Sequence, residues 1–461
     1  PILAAIMTMA MAVTAFAVEG ASGTNTLTVN VKDGQNLNGQ TINLYKLFDV
    51  TESGTTESKN YAYTVNETYK KTLATVLNIA ETSKDEDFAA AVTKLGSDNA
   101  TGVQNFANTF TTKALEEKLA ATATSGKITE ENKTSYTFNN LAAGYYLVYV
   151  TGGKEIQSSL VTVDATTDTV NLKTEAPSIE KTADKTTVNI GDVVTYTVKG
   201  SIPDTTGYDE YVYKIHDELT NGLDFVNDAN GAALGADATT VNVTVAFTDN
   251  SLTAGGTTPT TATLDTANNR KMSLDLSAWV RDNQTNKGKE FTVTYYAKVN
   301  ANAVVIEKNN AQLEYGNNPK ETTKTTPSEA KTPTYPLDIL KKEKTSKKEL
   351  AGAKFSLYKT ETDAKAGTNA ITVSGSDGKY VVDPTSKNTV FESVASIEGK
   401  DYNLHVNGLA AGSYWLVETE APAGYNKLTA PIKIEITKSA DTEVNNWTIS
   451  KDGTVETDKI I

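Results

Sequence analysis

From Thr26 onward apolar and polar residues alternate over short runs: TLTVNV, INLYKLF at 42–48, YYLVYV at 145–150 and SLVTVD at 159–164. A period of two puts alternate side chains on opposite faces, which is the signature of β-strands. Thr, Val and Tyr are enriched, and Gly/Asn/Asp turns such as Asp33-Gly34-Gln35-Asn36 separate the runs. This combination predicts antiparallel sandwiches rather than a parallel α/β sheet. Between about 70 and 120 the period changes. Phe88, Val92 and Leu95, then Val103, Phe106 and Phe110, recur at helical spacing, with Ser83 placed to cap and Asp85 and Glu86 in the first turn. The expectation is a helical insertion that lays its apolar stripe on a sandwich.

An internal repeat links the two ends of the chain. NGQTINLYKLF (38–48) parallels AGAKFSLYKTE (351–361), and FNNLAAGYYLVYV (138–150) parallels VNGLAAGSYWLVETE (406–420). In the first copy the two halves lie further apart, where the helical insertion falls, so the first and third units are expected to share a fold. The middle unit starts near Pro177 and differs, with SIEKTADKTTVNIGDVVTYTVKGSIPD reading as two strands joined by an Ile-Gly-Asp turn. The Pro/Thr/Lys-rich segments TEAPS (174–178) and ETTKTTPSEAKTPTYP (321–336) read as extended linkers. The expected fold is mainly β: three tandem immunoglobulin-like β-sandwiches at 18–174, 175–334 and 335–461, strung like beads.

Residues 1–17, PILAAIMTMAMAVTAFA, form an apolar run ending in Ala15-Phe16-Ala17, and three of the four methionines (Met7, Met9, Met11) sit in it. Small residues at the first and third of those last positions fit signal-peptidase cleavage, and the run is short for a membrane span. With no initiator Met and no basic start, the sequence is expected to begin inside its own signal peptide, with Val18 near the mature start and the protein exported.

Composition narrows the chemistry. A length of 461 residues suits about three domains. The 57 acidic against 43 basic side chains give a formal charge of -14, which repels phosphate backbones and anionic head groups, so neither nucleic acid nor a membrane surface is an expected partner. The chain has no cysteine, which excludes disulfides, thiolate metal sites and Cys nucleophiles. His216 and His405 are the only histidines, too few for a His-rich metal site, and no cofactor is expected. An exported chain without cysteine needs another way to stabilise its domains.

Strand parity suggests one. Ile179 and Lys181 share a face, as do Ile215 and Asp217; Asn309, Ala311, Leu313 and Tyr315; Leu337, Ile339 and Lys341; and Tyr414, Leu416 and Glu418. Each inward face thus carries a polar or ionisable group among apolar neighbours. Burial lowers a lysine pKa and raises a carboxyl pKa, giving a neutral amine beside a protonated acid. With an Asn carboxamide against the amine, amide exchange with loss of ammonia becomes possible, at effective molarities that reach about 10⁵–10⁸ M. A plain buried Lys–Asp salt bridge is the competing reading of the same parity.

At these residues the sequence resembles the backbone (major) pilins of Gram-positive bacteria, the sortase-assembled fimbrial subunits. LAGAKFSLYK (350–359) followed by GLAAGSYWLVETEAPAGY (408–425) is similar to a collagen-adhesin B-type (Cna-B) domain with its E-box. EKTADKTTVNIGDVVTYTV, HDELTNGLDF and NNAQLEYGNNP resemble the isopeptide-forming pilin domain, and the first unit reads as Cna-B-like. The resemblance implies a Lys–Asn isopeptide assisted by an acid: Lys181 as donor, Asn309 as acceptor with Asn310 as fallback, and Asp217 as catalytic acid. In the third unit it implies Lys341 as donor, with Lys342 as fallback, and Glu418 as the E-box acid. The third acceptor is expected in a final strand opening at DKII (458–461) and lying beyond Ile461, with Asn445 or Asn446 as weak substitutes. In the first unit Tyr149 is read at the position of Glu418, so no isopeptide is expected there. The resemblance also implies an inter-subunit lysine, for which Lys173 in VNLKTEAPSIEK is the candidate.

The expected function is structural: the shaft subunit of a covalent surface pilus at the cell wall. Its expected partners are other pilin subunits, a pilus-specific class C sortase and a housekeeping sortase. The alternative is a monomeric wall-anchored adhesin that binds a host or extracellular-matrix ligand through the first unit. Catalysis beyond single-turnover bond formation is not expected, since the carboxylates of GYDEY (207–211) and the Asp85–Asp87 run have no supporting motif.

Overall fold

The computed structural model describes residues 23–31, 35–55, 58–98, 100–151, 157–164, 169–172, 176–205, 210–316, 319–320 and 322–461. The apolar run at 1–17, Val18 and Lys173 lie outside these residues. Among the described residues strands dominate, arranged in six sheets.

In the first part of the chain, Asn25–Val31 is flanked by Ser135–Leu141, antiparallel, and Thr169–Leu172, parallel. Facing it is a sheet built on Thr41–Thr55, paired with Ser58–Val65, Ala123–Lys127 and Gly144–Thr151, the last of which also pairs with Gln157–Val163. Leu27, Val29, Ile42, Leu44, Tyr146, Val148 and Val150 close one core. All eight residues of Gly144–Thr151 are buried, because Tyr145, Leu147 and Tyr149 on its other face meet the helices. Burial on both faces explains why this strand reads as a continuous apolar run.

The helical insertion forms as Lys70–Leu77, Asp85–Asp98 and Ala100–Glu116, and Phe88, Val92, Phe106 and Phe110 seal its contact with the sheet. The second helix starts after Lys84 rather than at Ser83. The Asp87 carboxylate reaches back to accept from the Lys84 N–H at 3.1 Å, while Asp85, Glu86 and Asp87 line the first turn where the helix dipole favours negative charge. The Val103 side chain lies outside the described residues.

Further along, Val193–Ser201 pairs with Glu180–Ala183 and with Glu290–Val299, and the latter also pairs with Leu223–Val226 and Thr244–Phe247. The opposing sheet carries Val212–Leu219 between Lys271–Asp275 and Lys308–Gly316. The expected Ile-Gly-Asp turn is present: Gly191 takes φ +93°, open to glycine at little cost, and Asp192 accepts from the Asn189 N–H at 2.8 Å.

The 321–336 segment departs from the linker expectation. Thr323–Lys324 and Ser328–Lys331 add to Lys308–Gly316 as strands, and Thr332, Thr334 and Tyr335 are fully buried. Composition suggested an extended connector, but the inward Ala330 and these buried residues tie it to the sheet.

The last part has Tyr335–Ile339, Leu404–Leu409, Lys379–Val382 and Val373–Ser376 in one sheet, and Lys354–Tyr358, Gly412–Glu420 and Ile432–Thr437 at the centre of the other. One apolar cluster runs continuously from Val188 to Ile461. Where its two halves meet, the Ala410 N–H donates to Asn189 Oδ1 and the Ala411 N–H to Thr187 Oγ1, both at 3.1 Å. The beads-on-a-string picture therefore fails here, because apolar packing and hydrogen bonds cross the junction.

Candidate functional site

The middle site assembles from both sheets. Lys181 stands on Glu180–Ala183 opposite Val198, its backbone N–H anchored to Ser328 Oγ at 2.9 Å. Tyr295 on Glu290–Val299 pairs with Tyr196, and Lys181 Nζ lies 4.8 and 4.7 Å from the centroids of these two rings. From the other sheet, Asp217 faces Ala311 and Leu219 faces Asn309, so Asp217 and Asn309 are diagonal neighbours on one inward face. Lys181, Asp217 and Asn309 are 5%, 3% and 0% exposed. Asn310 points to the other face, beside His216 and Gln312.

Inside this aromatic-walled pocket Lys181 Nζ donates to both Asp217 Oδ2 and the Tyr295 hydroxyl, and that hydroxyl donates to the same Asp217 Oδ2. Three polar atoms thus close a triangle. Asp217 Oδ1 has no hydrogen-bond partner, nor does either carboxamide atom of Asn309. The Asn309 side chain is nonetheless near enough to Asp217 and Tyr295 to act on both as a poorly aligned hydrogen-bonding neighbour that lowers their pKa values. A buried amide left unpaired costs about 1–3 kcal/mol per group, so a satisfied structural network would not leave it this way.

Burial is the largest influence on each titratable member. Desolvation drives the Lys181 amine down from 10.5 to about 8 against the opposing attraction of Asp217. It raises the Asp217 carboxyl, again against its lysine partner, and pushes the Tyr295 phenol well up, helped by the adjacent Asp217 charge. The amine and acid values move toward each other, so passing one proton from nitrogen to oxygen costs less here than in water.

The second cluster is less enclosed. Lys341 follows Tyr335–Ile339, and its Nζ lies 2.9 Å from Glu418 Oε1, close enough for charge pairing but not aligned as a hydrogen bond. Glu418 is fully buried, and its other oxygen accepts from the Leu428 N–H at 2.8 Å. Lys342 is exposed and its backbone forms an isolated antiparallel β-bridge with Glu349, so parity selects Lys341. The buried Asn403 brackets this loop: Oδ1 accepts from the Lys341 N–H, while Nδ2 donates to the carbonyls of Lys341, Leu350 and Val394. Its carboxamide is fully engaged. Asn445 and Asn446 are exposed in the turn before Thr448–Lys451, and Ile460 bridges in parallel to Asp338.

In the first unit the equivalence of Tyr149 with Glu418 is corrected by register. Tyr146 returns its hydroxyl to the Ala142 carbonyl at 2.9 Å, as Tyr414 does to Ala410 at 2.7 Å. Ile42 faces Val150 where Phe355 faces Glu418. The counterpart of Glu418 is therefore Val150, an aliphatic core residue, and Tyr149 lies on the opposite, helix-covered face. No acid stands at either position.

Parity thus brings Lys181, Asp217 and Asn309 together, and Lys341 with Glu418. Sequence reasoning missed Tyr295. Its signal was present in FTVTYYAKV, where Phe291, Val293 and Ala297 share the inward face with it. Among the described residues no group of three His, Asp or Glu is arranged to hold a metal ion, and no helix is long and apolar enough to cross a membrane.

Residues 336–451 match the family model described as SpaA: Prealbumin-like fold domain. No curated protein matches the chain. Among solved structures, the T6 backbone pilin of serotype M6 Streptococcus pyogenes is 17% identical, with 92% of this chain and 84% of that one covered and a TM-score of 0.45. The major pilin SpaA of Corynebacterium diphtheriae is 17% identical over 91% and 96%, with a TM-score of 0.43. The major pilin SpaD of the same species is 20% identical over 87% and 88%, with a TM-score of 0.41.

Proposed function

We propose that the chain is a structural backbone subunit of a covalently polymerised surface pilus, and that its middle sandwich is closed by an isopeptide bond between Lys181 and Asn309. The observation carrying this reading is the dry pocket in which an amine held by two partners shares a wall with a carboxamide that makes no well-formed hydrogen bond. Attack of Nζ on the Asn309 Cγ, with Asp217 shuttling protons, forms the amide and releases ammonia. The product joins strands 128 residues apart (309 − 181), acting as a disulfide would in a chain that has no cysteine. Lys341 and Glu418 form the donor and acid of a second such site. The match of residues 336–451 to the SpaA prealbumin-like fold domain is in keeping with this reading of the last unit.

In this reading Lys173 is the lysine that a class C sortase joins to the next subunit, a housekeeping sortase attaches the fibre to the cell wall, and the three units extend the fibre's length. The alternative, a monomeric adhesin, draws less support, since the insertion spends its apolar stripe on the sheet beneath. The test is incubation of the full chain with a class C sortase. A ladder of oligomers that disappears in Lys173→Ala supports the pilin; a chain that stays monomeric overturns it.

A further inference from the structure

Resting on the Lys181–Asn309 reading, we infer that Tyr295 is a catalytic residue of the bond-forming step, aiming the amine lone pair at Asn309 and relaying the proton that the amine sheds. A neutral lysine amine has two N–H bonds and one lone pair. The two donations from Nζ, to Asp217 Oδ2 and to the Tyr295 hydroxyl, use both N–H bonds. The remaining tetrahedral position carries the lone pair, and of the polar groups without a well-formed hydrogen bond in the pocket, Asp217 Oδ1 and the Asn309 carboxamide, only the carboxamide offers an electrophilic carbon. Asp217 alone would leave the amine free to rotate about its Cε–Nζ bond; the phenol removes that freedom.

The phenol also completes a path for protons. Its hydroxyl accepts from Nζ and donates to Asp217 Oδ2. As the Nζ–Cγ bond forms, the acid proton of Asp217 passes to the Asn309 carbonyl oxygen. One amine proton moves to the phenol oxygen while the phenol proton moves to Oδ2, so Asp217 is again an acid. That acid then protonates Nδ2, the Cγ–Nδ2 bond breaks, and the carbonyl re-forms by returning its proton to Asp217. One amine hydrogen ends on the new amide nitrogen and the other leaves in ammonia; Tyr295 and Asp217 are restored. Burial raises the phenol pKa, which keeps the hydroxyl protonated and able to relay. Tyr196, 5.9 Å away between ring centroids, walls the same amine but bonds Thr332, outside this path.

The test is a cell-free synthesis of the full chain, quenched in denaturant at intervals and digested. The branched peptide joining Lys181 to Asn309 is quantified over time and across pH. Tyr295→Phe should form it roughly 10- to 100-fold more slowly, the scale of losing positioned proton transfer, with an altered pH–rate profile. Equal rates and profiles overturn the inference. A wild-type chain lacking the branched peptide instead overturns the underlying bond, an outcome read without the variant. Because Tyr295→Phe could misfold, a second measurement uses Asn309→Ala, which keeps Tyr295 and cannot link. In ¹⁵N NMR above pH 8, where the unlinked Lys181 is a free amine, an amine coupled to a slowly exchanging Tyr295 hydroxyl supports the relay; an amine uncoupled from a freely exchanging hydroxyl overturns it.

Discussion

Tyr45 and Tyr149 stack with ring centroids 5.4 Å apart and planes 9° from parallel, on the helix-covered face of the first unit's sheet. Their hydroxyls lie 3.2 Å apart, and Tyr149 also accepts from Asn43 Nδ2 at 2.9 Å. The position that matches Glu418 lies on the opposite face of this strand and is Val150, an aliphatic residue of the sandwich core. Introducing an acid there should bury a lone carboxylate. Val150→Glu is expected to destabilise the first unit by several kcal/mol without any further loss of ammonia, read by urea unfolding and intact mass. A stable variant lighter by one more ammonia would contradict this.

The loss of the middle cross-link should be visible thermodynamically. Asp217→Ala is expected to restore the mass of one ammonia and to remove about 4–5 kcal/mol of stability, the chain-entropy value for a loop of this length. Calorimetry of the two chains measures it. An unchanged melting temperature alongside a restored mass would mean that the bond constrains nothing.

The unlinked pocket should respond to pH in a defined direction. In Asn309→Ala the same burial should hold the folded Lys181 amine down from 10.5 to about 8. Between those values the unfolded chain holds the extra proton, so stability rises with pH there, recovering roughly 3 kcal/mol by the upper end. Asp217 acts oppositely at acid pH: raised above 3.8, it keeps a proton that the unfolded chain has lost, and stability falls as pH climbs through its folded value. Urea midpoints of Asn309→Ala should climb between pH 8 and 10.5. Those of Asn309→Ala combined with Lys181→Met should lack that component, and equal slopes would refute it.

Asn403 is expected to hold the Lys341 loop in place. Asn403→Ala leaves the Lys341 N–H and the Val394 carbonyl without a partner, while the Lys341 and Leu350 carbonyls keep the Leu350 N–H and Ser393 Oγ, and should cost about 2–4 kcal/mol. Hydrogen exchange at Lys341 and Val394 should accelerate in the variant, whereas protection equal to wild type would show that the bracket is dispensable.

Much of the site was legible because alternation is a strict rule on strands with one wet face. Ile215 forces Asp217 inward, and Ala311 with Leu313 forces Asn309 inward, leaving Asn310 outside. The rule lost its power on Gly144–Thr151, which is buried on both faces, so parity could not tell Tyr149 from Val150. Counting from the shared glycine does so: six residues past Gly144 is Val150, and six past Gly412 is Glu418. Tyr295 stayed hidden because an inward tyrosine reads as core, and only the partner of its hydroxyl distinguishes the two roles. The 321–336 connector misled through composition, since Pro, Thr and Lys suit an edge strand as well as a linker.

The most direct measurement is tandem mass spectrometry of the digested wild-type chain. The account predicts one branched peptide in which the Lys181 side chain is joined to that of Asn309, lighter by one ammonia than the two linear peptides together. Recovery of both linear peptides at full mass, with no branched species, would contradict it.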